Sequence, residues 1–401
     1  MLALAVALAL LSLPVVLLAG YLLLFVLLSG KPAPLAASPK LHVFRLIVPA
    51  HNEEQGIADT VQSLLGLDYP KHAFAVLVVA DNCSDATAAR ARESGAEVLE
   101  RHDDQLRGKG YALKYAFERL AGDVDAVVVI DADTLVSPNL LTTFSSCLAA
   151  GAHAVQADYA VRNPHQSWRT RLIAVAFGAF HIVRGRGRER LALSAGLRGN
   201  GMCFSAEILR TVAHDAFSIV EDVEYGIRLG EAGQRVHYAD AGHVYGEMVS
   251  SAAAARSQRT RWEGGRKALR QAHGMRLVKR GLASGDRVLF DLGFDLLVPP
   301  LSQIALASLG GFALALGAAL VAGGPFWLAL APWACAVAAV ALYVLRGWSV
   351  SGTGLRGLRD LALAPIYVLW KLTLGGRKSA RADGPWIRTT REDRAHDAAP
   401  P

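Results

Sequence analysis

The sequence predicts an α/β domain with a mainly parallel sheet, joined to transmembrane α-helices. Short apolar segments alternate with helical segments over residues 44–131, and each apolar segment ends in acidic or amide side chains. This alternation is typical of a parallel sheet with right-handed crossovers. Long uncharged stretches at 1–28 and 296–345 predict the membrane helices, because each is long enough to cross the hydrocarbon core of a bilayer.

The strands and helices of the predicted domain follow a β-α-β-α-β-α-β order. The first strand gives way at Pro49 to a polar loop. Parallel strands end at the same edge of a sheet, where open α/β folds bind their ligands. The predicted strands are 44–49, 75–80, 96–100 and 125–131, and the predicted helices are 55–67, 85–94 and 108–120.

The last of these strands ends in an Asp-x-Asp pair, Asp131 and Asp133. Five apolar residues precede it, four of them β-branched, which predicts a fully buried strand. Two carboxylates at a strand end can both reach Mg²⁺ or Mn²⁺, and such a cation can bridge a diphosphate. The alternative is a solvated strand end whose acidic residues occur by chance.

Two common nucleotide-binding motifs are missing from the expected places. A dinucleotide-binding domain carries G-x-G-x-x-G after the first strand, where this chain has Pro-Ala-His-Asn-Glu-Glu at 49–54. A P-loop needs an upstream glycine and a hydroxyl residue after the lysine, and the Gly-Lys-Gly of 108–110 has neither. Both classes are excluded by their defining residues.

Further motifs lie beyond the predicted strands: Gly-Asn-Gly at 199–201, Glu-Asp at 221–222 and Gln-x-x-Arg-Trp at 258–262. Together with the loop at 48–54, Asp81 and the Asp-x-Asp pair, they form an ordered set across residues 43–265. This set resembles the membrane-bound glycosyltransferases of family 2. That group has a GT-A (Rossmann-like) fold and includes cellulose, chitin, hyaluronan and poly-N-acetylglucosamine synthases and ceramide glucosyltransferase.

The resemblance implies a role for each matched residue. Asp222 matches the general base and Glu221 its catalytic neighbour. Asp131 and Asp133 match the pair that holds Mg²⁺ or Mn²⁺. The implied donor-binding residues are Pro49, Ala50, Glu53, Asp81, Lys109, Asp131 and Arg261, and the implied acceptor-binding residues are Gly199, Asn200, Gln258 and Trp262.

The chemistry of sugar transfer asks for the same residue types. A base must take the proton of the acceptor hydroxyl, and the apolar residues before Asp222 can raise its pKa toward that task. Arg261 can neutralise the leaving diphosphate, and Trp262 offers a flat face to a sugar ring. The alternatives are a solvated helix start at Glu221 and Asp222, a core or membrane-interface tryptophan, and a simple turn at Gly-Asn-Gly.

The membrane segments predict an order along the chain. Residues 1–28 lack a basic start and predict an uncleaved helix. The stretches 296–322 and 326–345 predict two more spans, and basic residues beside the helices place the intervening domain in the cytosol. The expected organisation is a helix at 1–30, a GT-A domain at 40–250, interfacial helices at 251–290, two spans at 291–346, a segment at 347–376 and a basic disordered tail at 377–401.

Two apolar segments leave alternatives open. Residues 361–374 are short for a span and contain Pro365, which favours an interfacial or re-entrant segment over a spanning one. Residues 168–183 predict either a surface helix against the membrane or an ordinary core helix.

Composition limits the class of partner. The chain has 401 residues, is 52% hydrophobic and carries a net charge of +7. Positive-inside segments and anionic lipid headgroups explain this charge, and no nucleic-acid motif accompanies it, so we expect no nucleic-acid partner. The four cysteines lack Cys-x-x-Cys spacing and predict a reduced domain without a zinc site.

The expected function is therefore an inverting, metal-dependent glycosyltransferase of the bacterial inner membrane. It would move a sugar from UDP-glucose or UDP-N-acetylglucosamine to a growing β-linked polysaccharide on the cytoplasmic face. Transfer of one sugar to a membrane lipid is the alternative. A non-catalytic synthase subunit is less favoured, because Asp133, Asp222 and Arg261 are all present. Homo-oligomers or partner subunits of a synthase complex stay open.

Overall fold

Residues 1–120, 124–248 and 263–366 are described by the computed structural model. The predicted motif at 258–262 and the predicted tail at 377–401 lie outside these residues, as does the part of the 361–374 segment after residue 366.

The elements of the α/β domain follow the predicted alternation and then continue it. The strands are β1 (Phe44–Ala50), β2 (Phe74–Asp81), β3 (Glu97–Arg101), β4 (Ala126–Val129), β5 (Thr134–Val136), β6 (Ala154–Val161), β7 (Met202–Ser205) and β8 (Val236–Gly246). The helices among them are α2 (Ile57–Leu65), α3 (Thr87–Glu93), α4 (Lys109–Phe117), α5 (Leu140–Ala149), α6 (Trp168–Phe177), α7 (Arg184–Arg190), α8 (Ala206–Thr211) and α9 (Glu221–Glu231).

The remaining helices flank or follow the domain. They are α1 (Leu2–Leu28), α10 (Met275–Ser284), α11 (Arg287–Leu297), α12 (Leu301–Ala322), α13 (Phe326–Val350) and α14 (Gly354–Asp360). Two π-helical segments, Gly178–Val183 and Arg270–Gly274, and two short 3-10 turns, Lys71–Ala73 and Leu361–Leu363, complete the described elements.

The eight strands form one mixed sheet in the order β3-β2-β1-β4-β7-β6-β8-β5. Strands β3, β2, β1 and β4 are parallel neighbours, which confirms the predicted parallel half. Strand β7 runs antiparallel to both β4 and β6, so the second half mixes directions. Apolar side chains on both faces of the sheet are buried against helices, which explains why the parallel strands are almost continuously apolar.

The parallel strands bring the predicted site residues to one edge. Strand β1 runs through Pro49 instead of breaking there, and its pairing with β4 stops at Ile47. Pro49 cannot donate to a neighbouring strand, and it lies beyond the end of β4, where no donor is needed. Asp81 is the last residue of β2. The carboxyl ends of β1, β2 and β4 therefore meet at the edge predicted to bind the ligand.

Three of the described helices are long and apolar enough to cross a membrane: α1, α12 and α13. The prediction began the second span at residue 296, but the structure ends α11 at Leu297 and starts α12 at Leu301. Pro299 and Pro300 separate these two helices, because proline ends one helix and fits the start of the next. The third span, predicted to stop at 345, continues to Val350.

The segment at 168–183 packs against the membrane helices. It continues from α6 through the π-helical turn into α7, and the Tyr343 hydroxyl of α13 donates a hydrogen bond to the carbonyl of Ala179 at 2.8 Å. Gly187 of α7 packs against Phe25 of α1. This segment therefore joins the sheet to α1 and α13, and its apolar face is covered by protein.

Candidate active site

The Asp-x-Asp turn follows β4 and is fixed by hydrogen bonds from three sides. The backbone N–H of Asp131 donates to the side-chain oxygen of Asn200 at 3.1 Å, and the amide nitrogen of Asn200 donates to the Thr134 hydroxyl at 2.7 Å. Thr60 of α2 donates to the carbonyl of Ala132 at 2.9 Å. The carboxylates of Asp131 and Asp133 are thus presented from a rigid turn.

Asn200 was predicted to bind the acceptor, and the structure gives its side chain another role. The residue is completely buried, and both polar atoms of its amide are used in the two hydrogen bonds to the Asp-x-Asp turn. The carbonyl of Asn200 also accepts from Gln156 at 2.8 Å, so the residue holds the turn in place, and its role toward an acceptor stays a prediction.

Lys109 links the Asp-x-Asp turn to the Glu-Asp motif. Its ammonium nitrogen lies 2.5 Å from Asp131 Oδ1 and 3.6 Å from Glu221 Oε1, and it also donates to the carbonyl oxygen of Gly199. Burial alone would lower the pKa of Lys109, but the carboxylates of Asp131 and Glu221 hold that pKa above its usual value. Lys109 therefore stays charged at the centre of the site.

Glu221 and Asp222 are the first two residues of α9, where the helix dipole favours negative charge. Burial raises the pKa of Glu221 to about 7, although Lys109 acts in the opposite direction. Burial also raises the pKa of Asp222, which Lys109 and Arg198 partly offset. Both carboxyl groups are therefore easier to protonate than exposed ones, as suits a general base working near neutral pH.

Gly199 lies beside both Asp222 and Lys109. Its φ of 77° is in the left-handed region, and a Cβ on this residue would stand 3.5 Å from both Asp222 Oδ2 and Lys109 Nζ. A Cβ at these distances would be in ordinary contact, so the left-handed φ is what favours glycine at this position. Asp131, Lys109, Gly199, Glu221 and Asp222, all predicted from the sequence, meet in one place.

A second group of predicted residues lies at the ends of β1 and β2. Asp81 is fully buried, with Oδ1 accepting from Arg101 Nη1 at 2.6 Å, while no described residue hydrogen-bonds to Oδ2. Burial raises the pKa of Asp81, which the Arg101 guanidinium partly offsets. The backbone N–H of Glu53 donates to the Thr87 hydroxyl at 2.7 Å. Pro49 and Ala50 form the end of β1 beside them.

The carboxylates of the Asp-x-Asp turn suit a divalent cation shared with a diphosphate. Within the described ranges, no group of three or more His, Cys, Asp or Glu side chains is arranged to hold a metal alone. Mg²⁺ is commonly bound by one or two carboxylates together with substrate phosphates, so the oxygen donors of Asp131 and Asp133 fit this use. Lys109 lies 2.5 Å from Asp131, so a positive charge is already present beside this carboxylate.

Three predicted residues, Gln258, Arg261 and Trp262, lie outside the described residues, so their roles stay predictions. Sequence reasoning also missed two residues beside the site. Gln156 of β6 accepts from the backbone N–H of Arg198 at 2.8 Å and donates to the carbonyl of Asn200 at 2.8 Å. A glutamine inside an apolar strand and an arginine directly before Gly-Asn-Gly were the available signals.

Comparison with solved structures supports the fold. The structure resembles a mannosyltransferase from Pyrobaculum calidifontis, solved in complex with GDP-mannose and Mn²⁺, with a TM-score of 0.56 and 18% sequence identity. The match covers 86% of this chain and 96% of that one. At this level of identity the likeness shows a shared GT-A fold.

Sequence relatives include both lipid and polymer enzymes. The chain is 32% identical over 231 residues to a beta-monoglucosyldiacylglycerol synthase of Synechocystis, covering 55% of this chain and 47% of that protein. It is 28% identical over 238 residues to a probable glycosyltransferase of Bacillus subtilis, covering 57% and 55%. It is 27% identical to a hyaluronan synthase of Streptococcus pyogenes, with 42% of each chain covered. The chain thus spans about half the length of the first two relatives.

A family model provides the broader match. The model described as "Glycosyltransferase like family 2" matches residues 39–265, which is more than half of the chain and includes every predicted motif. The matched region begins just before β1 and extends past the Gln-x-x-Arg-Trp motif. The chain therefore belongs to the family 2 glycosyltransferases.

Proposed function

We propose that this protein transfers a hexose, with inversion, from a nucleotide sugar to a lipid acceptor at the cytoplasmic face of the bacterial inner membrane. UDP-glucose and UDP-N-acetylglucosamine are the proposed donors. The observation that carries the proposal is the meeting of Asp131, Lys109 and Asp222 around the backbone of Gly199. This arrangement supports a diphosphate site and a general base within reach of one reacting carbon.

The proposed reaction is a single displacement. Asp222 takes the proton of the acceptor hydroxyl, whose oxygen bonds to the anomeric carbon while the bond from that carbon to the diphosphate breaks. Lys109 stabilises the charge that gathers on the diphosphate, because its ammonium lies in the same cluster as Asp131. Glu221 keeps Lys109 in position through a 3.6 Å ion pair.

The nucleoside would lie at the ends of β1 and β2. The buried Oδ2 atom of Asp81, which has no hydrogen-bond partner among the described residues, is the proposed acceptor for a base or ribose donor group. The metal would be held by Asp131 and Asp133, and when bound it would supply positive charge to the leaving diphosphate. Arg261 would add a second cation there.

The packing of the membrane helices favours a lipid acceptor over a growing polymer. A Cβ on Gly311 of α12 would stand 2.2 Å from the ring of Trp333 of α13, so these two helices are in direct contact. The Trp333 indole also donates to the carbonyl of Leu8 in α1 at 3.2 Å. These contacts hold the three described spans against one another, whereas a polymer must cross the bilayer through an open path.

Polysaccharide synthesis is the second candidate, and the similarity to a hyaluronan synthase favours it. In that case the path for the polymer would be formed with further copies of this chain or with partner subunits.

The proposed orientation places the sheet in the cytosol. Arg346, near the end of α13, donates to the carbonyl and hydroxyl oxygens of Ser29, just after α1, at 2.8 Å each. The ends of α1 and α13 therefore meet on the side of the membrane that carries the catalytic domain. Nucleotide sugars are cytosolic, and the basic residues near these ends agree with the positive-inside tendency.

Product analysis distinguishes the two acceptors. Purified protein is incubated with radiolabelled UDP-glucose or UDP-N-acetylglucosamine, with and without a bacterial lipid extract. We expect label to enter the organic phase as a monoglycosylated lipid, and only when lipid is present. A ladder of chains would instead support the polymer candidate, and failure to release UDP from either donor under any condition would contradict the choice of donor.

A further inference from the structure

Four arginines gather where the catalytic domain meets the membrane helices. They are Arg184 and Arg188 of α7, Arg198 in the loop before β7, and Arg266 in the helical segment at 263–269, and we call them the arginine cluster. Phe180 lies at their centre: the guanidinium carbons of Arg198, Arg184 and Arg266 lie 4.3, 5.1 and 6.0 Å from the centroid of its ring.

Three members of the arginine cluster are neutralised by two aspartates of α11. Arg188 Nε lies 2.9 Å from Asp291 Oδ2, and Arg188 Nη2 lies 2.7 Å from Asp295 Oδ1. Arg184 also pairs with Asp295, and Arg266 Nη2 lies 2.9 Å from Asp295 Oδ2. Asp295 thus forms ion pairs with three guanidinium groups.

Arg198 has no carboxylate partner within ion-pair distance among the described residues. The hydrogen bond from its guanidinium is donated to the carbonyl of Ala195 at 3.0 Å. Burial lowers the pKa of Arg198 to about 9, and repulsion by Arg188 and Arg184 adds to the effect. The cluster therefore contains four cations against two paired aspartates, and the excess charge is concentrated at Arg198.

Arg198 lies between the proposed base, Asp222, and the side of the arginine cluster that contacts the membrane helices. It directly precedes Gly199, and its positive charge acts to lower the pKa of Asp222. On the other side, Arg188 Nη2 donates to the Tyr21 hydroxyl of α1 at 2.8 Å, and that hydroxyl donates to Asp291 at 2.7 Å. The cluster therefore extends from the reacting centre to the domain-side end of a membrane helix.

A half-buried guanidinium without a counter-ion suits an anionic ligand. Arginine binds phosphate through two parallel N–H groups, and such charge-assisted hydrogen bonds are stronger than neutral ones. Asp222 acts on a hydroxyl group, so the ligand beside it must carry a hydroxyl as well as the anion. A phosphate that was itself the nucleophile would need no base.

We propose that Arg198 binds the phosphate group of the acceptor, a membrane lipid that carries both a phosphate and the hydroxyl that receives the sugar. This inference rests on the proposed function and narrows its acceptor class. The acceptor hydroxyl loses its proton to Asp222 and its oxygen bonds to the anomeric carbon, while the nucleoside diphosphate leaves. The phosphate of the acceptor stays intact and held by Arg198 throughout.

The test compares Arg198→Gln, Arg198→Lys and the control Arg190→Gln in purified full-length protein. Arg190 is an exposed residue of α7 outside the cluster, so its variant removes one positive charge near the membrane without touching the site. A bacterial lipid extract is separated by anion exchange into neutral and anionic fractions. Each fraction is supplied in phosphatidylcholine vesicles with radiolabelled UDP-sugar, and phosphatidylglycerol and diacylglycerol serve as defined probes with and without phosphate charge.

We expect label to enter the anionic fraction and not the neutral one. Arg198→Gln should raise the KM for the anionic fraction roughly 10- to 100-fold, as expected for losing a charge-assisted contact, with the KM for UDP-sugar within about twofold. Arg198→Lys should fall between wild type and Arg198→Gln, because it keeps the charge but loses the planar fork. Arg190→Gln should match wild type.

The outcomes separate this inference from the proposed function. Label in diacylglycerol or in the neutral fraction would overturn the phosphate-bearing acceptor and leave lipid glycosylation intact. A rise in the KM for UDP-sugar or a loss of UDP binding in Arg198→Gln would show that Arg198 binds the donor, which also overturns the inference. If the wild-type protein transfers no label into either fraction, both the proposed lipid acceptor and the phosphate contact of Arg198 are contradicted.

Discussion

Replacing Asp222 with asparagine is expected to lower kcat by roughly 10²- to 10⁴-fold while the affinity for nucleotide sugar stays within about twofold. Asparagine keeps the shape of the side chain at the start of α9 but cannot accept the proton of the acceptor hydroxyl. The proposed donor site lies at the Asp-x-Asp turn and at the ends of β1 and β2, which this change does not touch. Steady-state kinetics and a titration with UDP measure the two quantities.

The pH dependence gives a second readout of the same change. Burial raises the pKa of both Glu221 and Asp222, with Glu221 at about 7, and the two carboxyl groups interact. The base must be deprotonated, so kcat/KM should fall as pH falls through the apparent pKa of the pair. In Asp222→Asn, the part of this fall in kcat/KM that comes from protonation of Asp222 should disappear. Glu231→Gln, at the other end of the same helix, is the matched control and should retain activity.

Loss of UDP binding together with turnover in Asp222→Asn would contradict the assignment. Asp222 would then bind the donor or support the fold, and another base would have to be sought.

Removing the metal or its ligands should lower turnover about as much as Asp222→Asn does. We expect excess EDTA to stop UDP release and added Mg²⁺ or Mn²⁺ to restore it, because Asp131 and Asp133 supply oxygen ligands that match these ions. Asp133→Ala should abolish turnover. Asp131→Ala should lower turnover somewhat less. It also releases Lys109 from its 2.5 Å ion pair, and the released ammonium can stabilise the leaving diphosphate.

The matched control is Asp104→Ala, which removes a carboxylate whose side chain is 88% exposed and lies outside the predicted site. This variant should keep wild-type turnover and metal dependence. Undiminished turnover in EDTA would show that the two aspartates act without a metal, and equal activity of Asp133→Ala and wild type would remove Asp133 from the mechanism.

The sequence predicted the parallel half of the sheet well because its signals are local. Strands β1, β2 and β4 are short apolar runs, the edge strand β3 is more polar, and each predicted helix lies between two strands. The strand before the Asp-x-Asp pair was predicted at 125–131 but ends at Val129, since the next residues form the turn that presents Asp131. The antiparallel pairing of β7 with β4 and β6 depends on contacts between distant parts of the chain, which local patterns do not reveal.

The boundary between the catalytic domain and the membrane was harder to predict for a physical reason. Asp291 and Asp295 looked like the last charges before a span, yet they belong to α11 and pair with the arginine cluster. Their partners Arg184 and Arg188 lie more than a hundred positions earlier in the chain. Arg198 was missed for the same reason, because the residues around it, such as Phe180, Gln156 and Arg266, come from separate segments of the chain.

The site residues that did follow from the sequence form an ordered set of motifs, and the structure brings several of them together. Lys109 was one of the donor-binding residues implied by the resemblance. Its contacts with Asp131, Gly199 and Glu221 place it at the centre of this group of residues. Arg261 and Trp262 stay predictions.

The anomeric configuration of the product tests the central claim most directly. In the proposed mechanism, Asp222 is the one base of a single displacement at the anomeric carbon, and such a displacement must invert the configuration of the sugar. Purified protein is supplied with α-linked UDP-glucose or UDP-N-acetylglucosamine and lipid acceptor, and the product is examined by proton NMR. We predict a β-linked sugar; an α-linked product would contradict the mechanism built on Asp222.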